Sequence, residues 1–234
     1  MEVAEIRSYP IKSMLGEAVP AAEVGERGLL GDRLWAVRDP DGKFGSGKST
    51  RRFRRMPGLF GLRAYAATPA PIVELPDGRR FGADDPDGHR AVGEVLGRTV
   101  TLAPEGVVPH HDEGPVSLIT TAGLRRLTEL SGGEPQGTGV DPLRFRANLL
   151  IDVPGSGFVE DGWLGRRLQV GPEVVLRPVR SLTRCVMIDM AQDRVDERND
   201  LLKILADYHE LTFGVVATVE QPGRVAVGDV CLWN

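Results

Sequence analysis

Apolar and polar residues alternate over residues 2–8, the two-residue period of a strand with one face buried, before Tyr9-Pro10 turns the chain into Ile11-Lys12-Ser13. Short runs of the same kind recur at 18–24, 34–38, 59–68, 71–75, 99–103 and 116–120. Turn signals separate them, among them Asp39-Pro40-Asp41-Gly42 and Pro76-Asp77-Gly78-Arg79. Helical spacing is confined to 89–96, to 123–130 with Thr120 or Thr121 as its cap, and to 199–209. A polar, glycine-rich linker covers 131–139, and 141–151 leads into a strongly apolar strand. Residues 173–176, 211–219 and 222–233 supply the last strands. Many short strands, frequent Gly and Pro and few helices predict a mainly β, β-barrel-like fold with a few short helices.

A chain of 234 residues with 41% hydrophobic content is long enough for one large or two small domains. The net charge of -4 argues against a generally nucleic-acid-binding surface. Cys185 and Cys231 are the only cysteines, without CxxC or HxxxH spacing, which excludes a self-contained zinc ribbon or iron-sulfur site. They fit a reduced, cytoplasmic location. The first residues form neither a basic nor an apolar leader, and no apolar run approaches about 18 residues, so no export and no membrane span is expected.

The chemistry gathers at residues 176–189, where Arg177, Arg180 and Arg184 precede Cys185. Guanidinium charge beside a thiol favours the thiolate, the form that binds soft metals and attacks electrophiles. Pro178 and the polar step 181–183 are expected to interrupt a strand and to leave Cys185 at a loop-to-strand junction. The rival reading makes Cys185 an inert core residue before Val186-Met187-Ile188, the expectation also for Cys231. Arg144, Arg146 and Asn148 fall in one phase of a predicted strand, which suits a phosphate or a flat hydrogen-bonding heterocycle; a structural role instead needs matching buried acids.

Two motifs read as decoys. Residues 42–49 match the G-x-x-x-x-G-K-[ST] phosphate loop, yet they follow a hairpin-type turn, and the next residues carry no apolar helical stripe before Pro57-Gly58. The surrounding basic cluster, Lys43, Lys48, Arg51, Arg52, Arg54 and Arg55, is either a solvated loop or a contact for an anion. His110-His111-Asp112-Glu113 reads as loop polarity, because adjacent strand residues face opposite ways.

Three groups of segments together resemble the MOSC family (molybdenum cofactor sulfurase C-terminal domain), with the β-barrel region that precedes its core in the mitochondrial amidoxime-reducing component and bacterial relatives. They are Tyr9-Pro10-Ile11-Lys12-Ser13 with residues 28–35; Arg144-Phe145-Arg146-Ala147-Asn148 with 158–165; and Arg184-Cys185-Val186-Met187 with 222–230. The resemblance implies an N-terminal MOSC-type β region over 1–108 and a MOSC core over 109–234. It implies that Cys185 coordinates the molybdenum of a pyranopterin cofactor. Lys12, Ser13 and Arg33 would reach that cofactor from the N-terminal region, and Arg144, Arg146, Asn148 and Arg184 from the core. The activity implied is reduction of an N-hydroxylated or N-oxide small-molecule substrate with electrons from a separate electron-transfer protein. A cofactor- or sulfur-carrier module with a persulfide on Cys185 is the alternative, and a nucleotide enzyme the third. Ala147 stands where the family often has proline, and 45–49 where many members keep a T-Q-R-type loop.

Overall fold

Val3 and Ile6 are both buried although three positions apart, which strict alternation forbids. In the computed structural model, which describes residues 1–133 and 139–234, strand Glu2–Ser8 resolves this with a register shift between Val3 and Glu5. An irregularity of that kind absorbs the odd residue and keeps both side chains on the inner face. Glu2–Ser8 pairs antiparallel with Leu149–Asp152, which in turn lies parallel to Val116–Thr120. These three belong to an eight-stranded sheet that continues through Thr212–Gln221, Val174–Thr183, Leu168–Val170 and Cys231–Trp233, with Glu17–Val19 at the other edge.

The sheet is barrel-like and is not closed along its length. A single bridge, Glu2 to Val230, with hydrogen bonds from Val3 N to Asp229 O and from Cys231 N to Met1 O, draws its two ends together. Leu118, Leu149, Val215 and Leu176 fill the space inside, each at most 1% exposed. Burial of such a side chain contributes about 1.5–3 kcal/mol. Cys231 sits in this cluster, 1% exposed, and burial pushes its thiol up to about 12, so its expected inertness has a physical cause.

A second core gathers Ile11, Met14, Val37, Leu59, Leu62 and Val92 under the smaller sheets of the N-terminal half and helix Pro86–Leu96. A third packs helices Thr121–Leu130 and Leu201–Tyr208 against Phe145, Ile188 and Phe213. Of the two candidate caps, Thr120 is the one used: its Oγ1 accepts from Gly123 N at 2.9 Å. None of the helices is long and apolar enough to cross a membrane among the described residues. Within the expected linker at 131–139, residues 134–138 lie outside the described residues.

Three expectations change. Residues 57–61 form a 3-10 turn before a strand of only Arg63–Tyr65, because Pro57 presets a helical φ at its start. Residues 142–145 are also a 3-10 turn, capped by Asp141, and Arg146 is left-handed at φ 52°, so Arg144 and Arg146 do not share a strand face. Pro178 does not interrupt its strand, which runs from Val174 to Thr183 with register shifts on either side of it. Cys185 therefore leaves a strand and opens the 3-10 turn Val186–Ile188.

Candidate functional site

Where the N-terminal half meets the main sheet, a cavity of about 150 Å³ opens to the surface. All eight residues singled out in the sequence line it: Lys12, Ser13, Arg33, Arg144, Arg146, Asn148, Arg184 and Cys185. They arrive from four separate places in the chain, so only the fold brings them together.

Two turns form the wall opposite Cys185. Tyr9 N donates to Asp32 Oδ1 at 2.8 Å and Arg33 N to Tyr9 O at 2.7 Å, which pins the turn at 9–13 to the turn at 28–33. The guanidinium carbons of Arg33 and Arg146 lie 4.7 and 4.4 Å from the centroid of the buried Tyr9 ring. Arg33 also donates to Asp32 Oδ2 at 2.5 Å and to Arg146 O at 2.9 Å. Ser13, Arg33 and Arg146 all have positive φ, at 67°, 51° and 52°. A left-handed conformation costs a non-glycine residue about 1–2 kcal/mol, so three of them lining one cavity mark backbone held for a purpose other than stability.

Lys12 is 3% exposed, and its Nζ donates to His110 O at 2.9 Å and Asp112 Oδ1 at 2.7 Å. Burial pushes its ammonium down to about 8, against the opposing pull of Asp112. Ser13 Oγ donates to Gly45 O at 3.0 Å.

The guanidiniums on the core side are held by carbonyls in place of acids. Arg144 donates to Asp196 O at 2.6 Å and Ile188 O at 3.3 Å; Arg146 donates to Met14 O at 2.5 Å. Arg184 donates to Phe213 O at 2.8 Å and Phe145 O at 3.0 Å, and its Nη2 is buried without a partner. Burial pushes Arg146 and Arg184 down to about 10, which leaves both charged at neutral pH. The set of buried acids that a purely structural role requires is absent among these contacts. Asn148 is different: its Oδ1 accepts from Ser117 N and Oγ at 3.1 and 2.9 Å, and its Nδ2 donates to Arg7 O at 3.3 Å. It ties the strands beneath the cavity together.

Cys185 is half-exposed and lines the cavity, so the reading of it as a sealed core residue does not hold. The turn that follows it is anchored twice. Gln192 Nε2 donates to Met187 O at 3.0 Å, and Asp189 accepts from Leu201 N and Leu202 N at 3.0 and 3.2 Å, capping the last helix from outside it.

Several lining residues lie outside these eight: Lys48, expected as either a solvated loop residue or an anion contact, His111, Asp112 and Glu113, expected as loop polarity, and Met187. For the acids the signal was present in His110-His111-Asp112-Glu113, but each partner lies far away in sequence. Asp112 takes Lys12, Glu113 pairs with Arg180 at 2.5 Å, His111 faces Asp32 at 3.8 Å, and His110 packs against Phe44. The two histidines thus serve different surroundings. The phosphate-loop match dissolves as well: Phe44–Ser46 is a strand between Trp35–Arg38 and Phe53–Arg55, and no α-helix follows it before Pro57.

The MOSC domain model matches residues 105–231, and the MOSC N-terminal beta barrel domain model matches residues 1–81. The mitochondrial amidoxime reducing component 2 of Bos taurus is 26% identical over 289 aligned positions, covering 97% of this chain and 81% of that protein. Among solved structures, the YUAD protein of Bacillus subtilis aligns at a TM-score of 0.48 and 14% identity, covering 97% of this chain and 92% of that one. YiiM of Geobacillus stearothermophilus aligns at a TM-score of 0.35 and 13% identity, covering 51% and 54%. With its C-terminal half matched throughout and its first strands matched to the accompanying barrel domain, the chain belongs to the MOSC domain family.

Proposed function

We propose that the Cys185 cavity binds a molybdenum pyranopterin cofactor and that the protein is an oxidoreductase acting on N-hydroxylated or N-oxide small molecules. The observation that carries this reading is the donor set. A half-exposed thiol shares one cavity with Arg144, Arg146 and Arg184, whose hydrogen bonds end on carbonyl or amide oxygens, and Arg184 keeps a buried Nη2 without a partner among the described residues. A thiolate suits a soft, sulfur-ligated metal, and guanidinium forks suit the phosphate of the pterin. The residues present therefore fit the group.

In this reading Cys185 would be the protein ligand to the metal, and Arg144, Arg146 and Arg184 would hold the phosphate. Lys12, Ser13 and Arg33 close the opposite wall. Three or four charge-assisted hydrogen bonds of about 1.5–3 kcal/mol each hold such an anion without a covalent link. When bound, the cofactor supplies a two-electron redox centre. Reduction of an N-hydroxyl group takes two electrons and two protons, breaks the N–O bond and releases the oxygen as water. The electrons come from a separate electron-transfer protein. The aromatic and aliphatic lining at Phe145, Leu182 and Ile188 limits the entry of water.

Metal analysis of protein produced with the cofactor available tests the assignment. Stoichiometric molybdenum and dye-driven reduction of benzamidoxime are expected for the natural sequence, and both should be lost in Cys185→Ser. A Cys185→Ser protein with full molybdenum and full activity would remove the thiol from the reaction.

A further inference from the structure

The basic segment around Lys48 remains to be explained. Arg54 is committed to Asp39 and Asp41, each at 2.7 Å, and Arg52 donates to Pro109 O while its guanidinium lies 5.2 and 5.3 Å from the Phe44 and Phe53 rings. Lys48 is different. It lines the cavity, half-buried, with its ammonium 5.4 Å from the Phe53 centroid, and no ion pair among the described residues holds it. Lys12 approaches the same ring at 5.1 Å, yet Asp112 already balances it at 2.7 Å. Arg33 is balanced by Asp32. Lys12 and Lys48 both act on the Asp112 carboxylate, two ammoniums on one acid, so one net positive charge is left at the rim.

The position of Lys48 is set by its neighbour. A Cβ on Gly47 would come within 2.9 Å of Met187 Cγ and of Met190 Sδ and within 3.0 Å of the Phe60 ring. A larger residue there would have to displace these side chains, so glycine lets the loop lie against the turn that follows Cys185, and Ser46 Oγ meets Met187 Sδ at 3.8 Å one residue earlier. A lysine on a free loop would carry its ammonium into water; this one is presented to the cavity that holds Cys185.

We propose that Lys48 forms a subsite at the rim of the Cys185 cavity for a carboxylate carried by the small-molecule substrate. The inference deepens the reductase reading and rests on it. A monoanion matches a single ammonium, whereas a phosphate dianion is better served by the forked guanidiniums on the core side. The substrate class is therefore an N-hydroxylated organic acid.

Two amidoximes that differ only in charge test this: benzamidoxime and 4-carboxybenzamidoxime. Cofactor-loaded protein should favour the carboxylated compound by about tenfold in kcat/KM and in Kd from calorimetry, the scale of one charge-assisted hydrogen bond. Lys48→Gln should abolish the preference and Lys48→Arg should keep it. Equal treatment of the two compounds by the natural sequence overturns the subsite while leaving the reductase reading standing. Lys48-dependent binding of the carboxylated compound with no turnover of either compound upholds the subsite and removes the reductase reading. Loss of molybdenum from Lys48→Gln overturns the proposal by assigning the lysine to the cofactor.

Discussion

Gly47 and Met187 meet so closely that a Cβ on the glycine would lie 2.9 Å from Met187 Cγ. The contact joins the basic loop of the N-terminal half to the turn that carries Cys185. Because Met190 and Phe60 close the other sides, a methyl group at position 47 has nowhere to go without moving one of them. Gly47→Ala is therefore expected to destabilise the fold by about 1–2 kcal/mol. It should also speed the reaction of Cys185 with a thiol reagent severalfold, as the turn loosens. Denaturant unfolding reads the first effect and native-state labelling the second; labelling at the natural rate would show that loop and turn are uncoupled.

The two thiols should behave oppositely. Cys185 is half-exposed in the cavity, whereas Cys231 is 1% exposed and pushed up to about 12 by burial. The thiolate is the reactive form, so Cys231 is silenced both by access and by ionisation. One equivalent of a thiol reagent should react with the cofactor-free native chain, and a second only after unfolding. Cys185→Ser should leave no native-state reaction. Mass spectrometry of peptides after labelling decides it, and modification of Cys231 in the native state is the contrary result.

How much of this was legible in the sequence depends on how local each cause is. The local causes were legible, as for the Thr120 cap of the helix that follows it, whose Oγ1 accepts from Gly123 N three residues on. Reading failed where distant contacts decide. Arg144 and Arg146 alternate as they would in a strand, but Asp141, Pro142 and the left-handed Arg146 wind the segment into a 3-10 turn, and carbonyls of residues 188, 196 and 14 receive the guanidiniums. The predicted set still converged, because a cavity needs only that each side chain reach it. For Lys48 the choice between solvated loop and anion contact stays open in the sequence, because the packing of Gly47 against Met187 that presents it to the cavity is a contact between distant residues.

Arg184 makes a forked pair of contacts that a lysine cannot reproduce. Its Nε and Nη1 donate to Phe213 O and Phe145 O, and its guanidinium carbon lies 5.4 and 5.9 Å from the two rings. A Cβ at Gly214 would stand 2.5 Å from Leu118 O and 3.2 Å from Nη2, so the backbone there lies close both to the neighbouring strand and to this side chain. Arg184→Lys leaves at least one of the two carbonyls unsatisfied and should cost about 1–3 kcal/mol of stability. Molybdenum retained after gel filtration should fall about tenfold or more, by loss of the orphaned Nη2. Full retention in Arg184→Lys would remove this arginine from the cofactor site.

Lys12 offers a pH signature. Burial lowers its ammonium from the usual 10.5 to about 8, with Asp112 opposing, while in the unfolded chain it titrates near the usual value. Between these values the unfolded chain binds the proton that the folded chain has released, so stability rises with pH across that window. The penalty of a buried charge is fully present below about pH 8 and relieved toward pH 10.5. Other groups titrate in the same range, so the measurable quantity is the difference between the natural protein and Lys12→Met, which has nothing to release. From pH 7.5 to pH 10.5 the natural protein should gain about 1–3 kcal/mol relative to Lys12→Met in denaturant unfolding. Burial pushes Asp112 up, but Lys12, Lys48 and Arg33 together keep it below its ordinary range, so it is ionised throughout and contributes no slope there. A difference that stays flat with pH would mean that water reaches the Lys12 ammonium freely, and with it the wall of the cavity opposite Cys185.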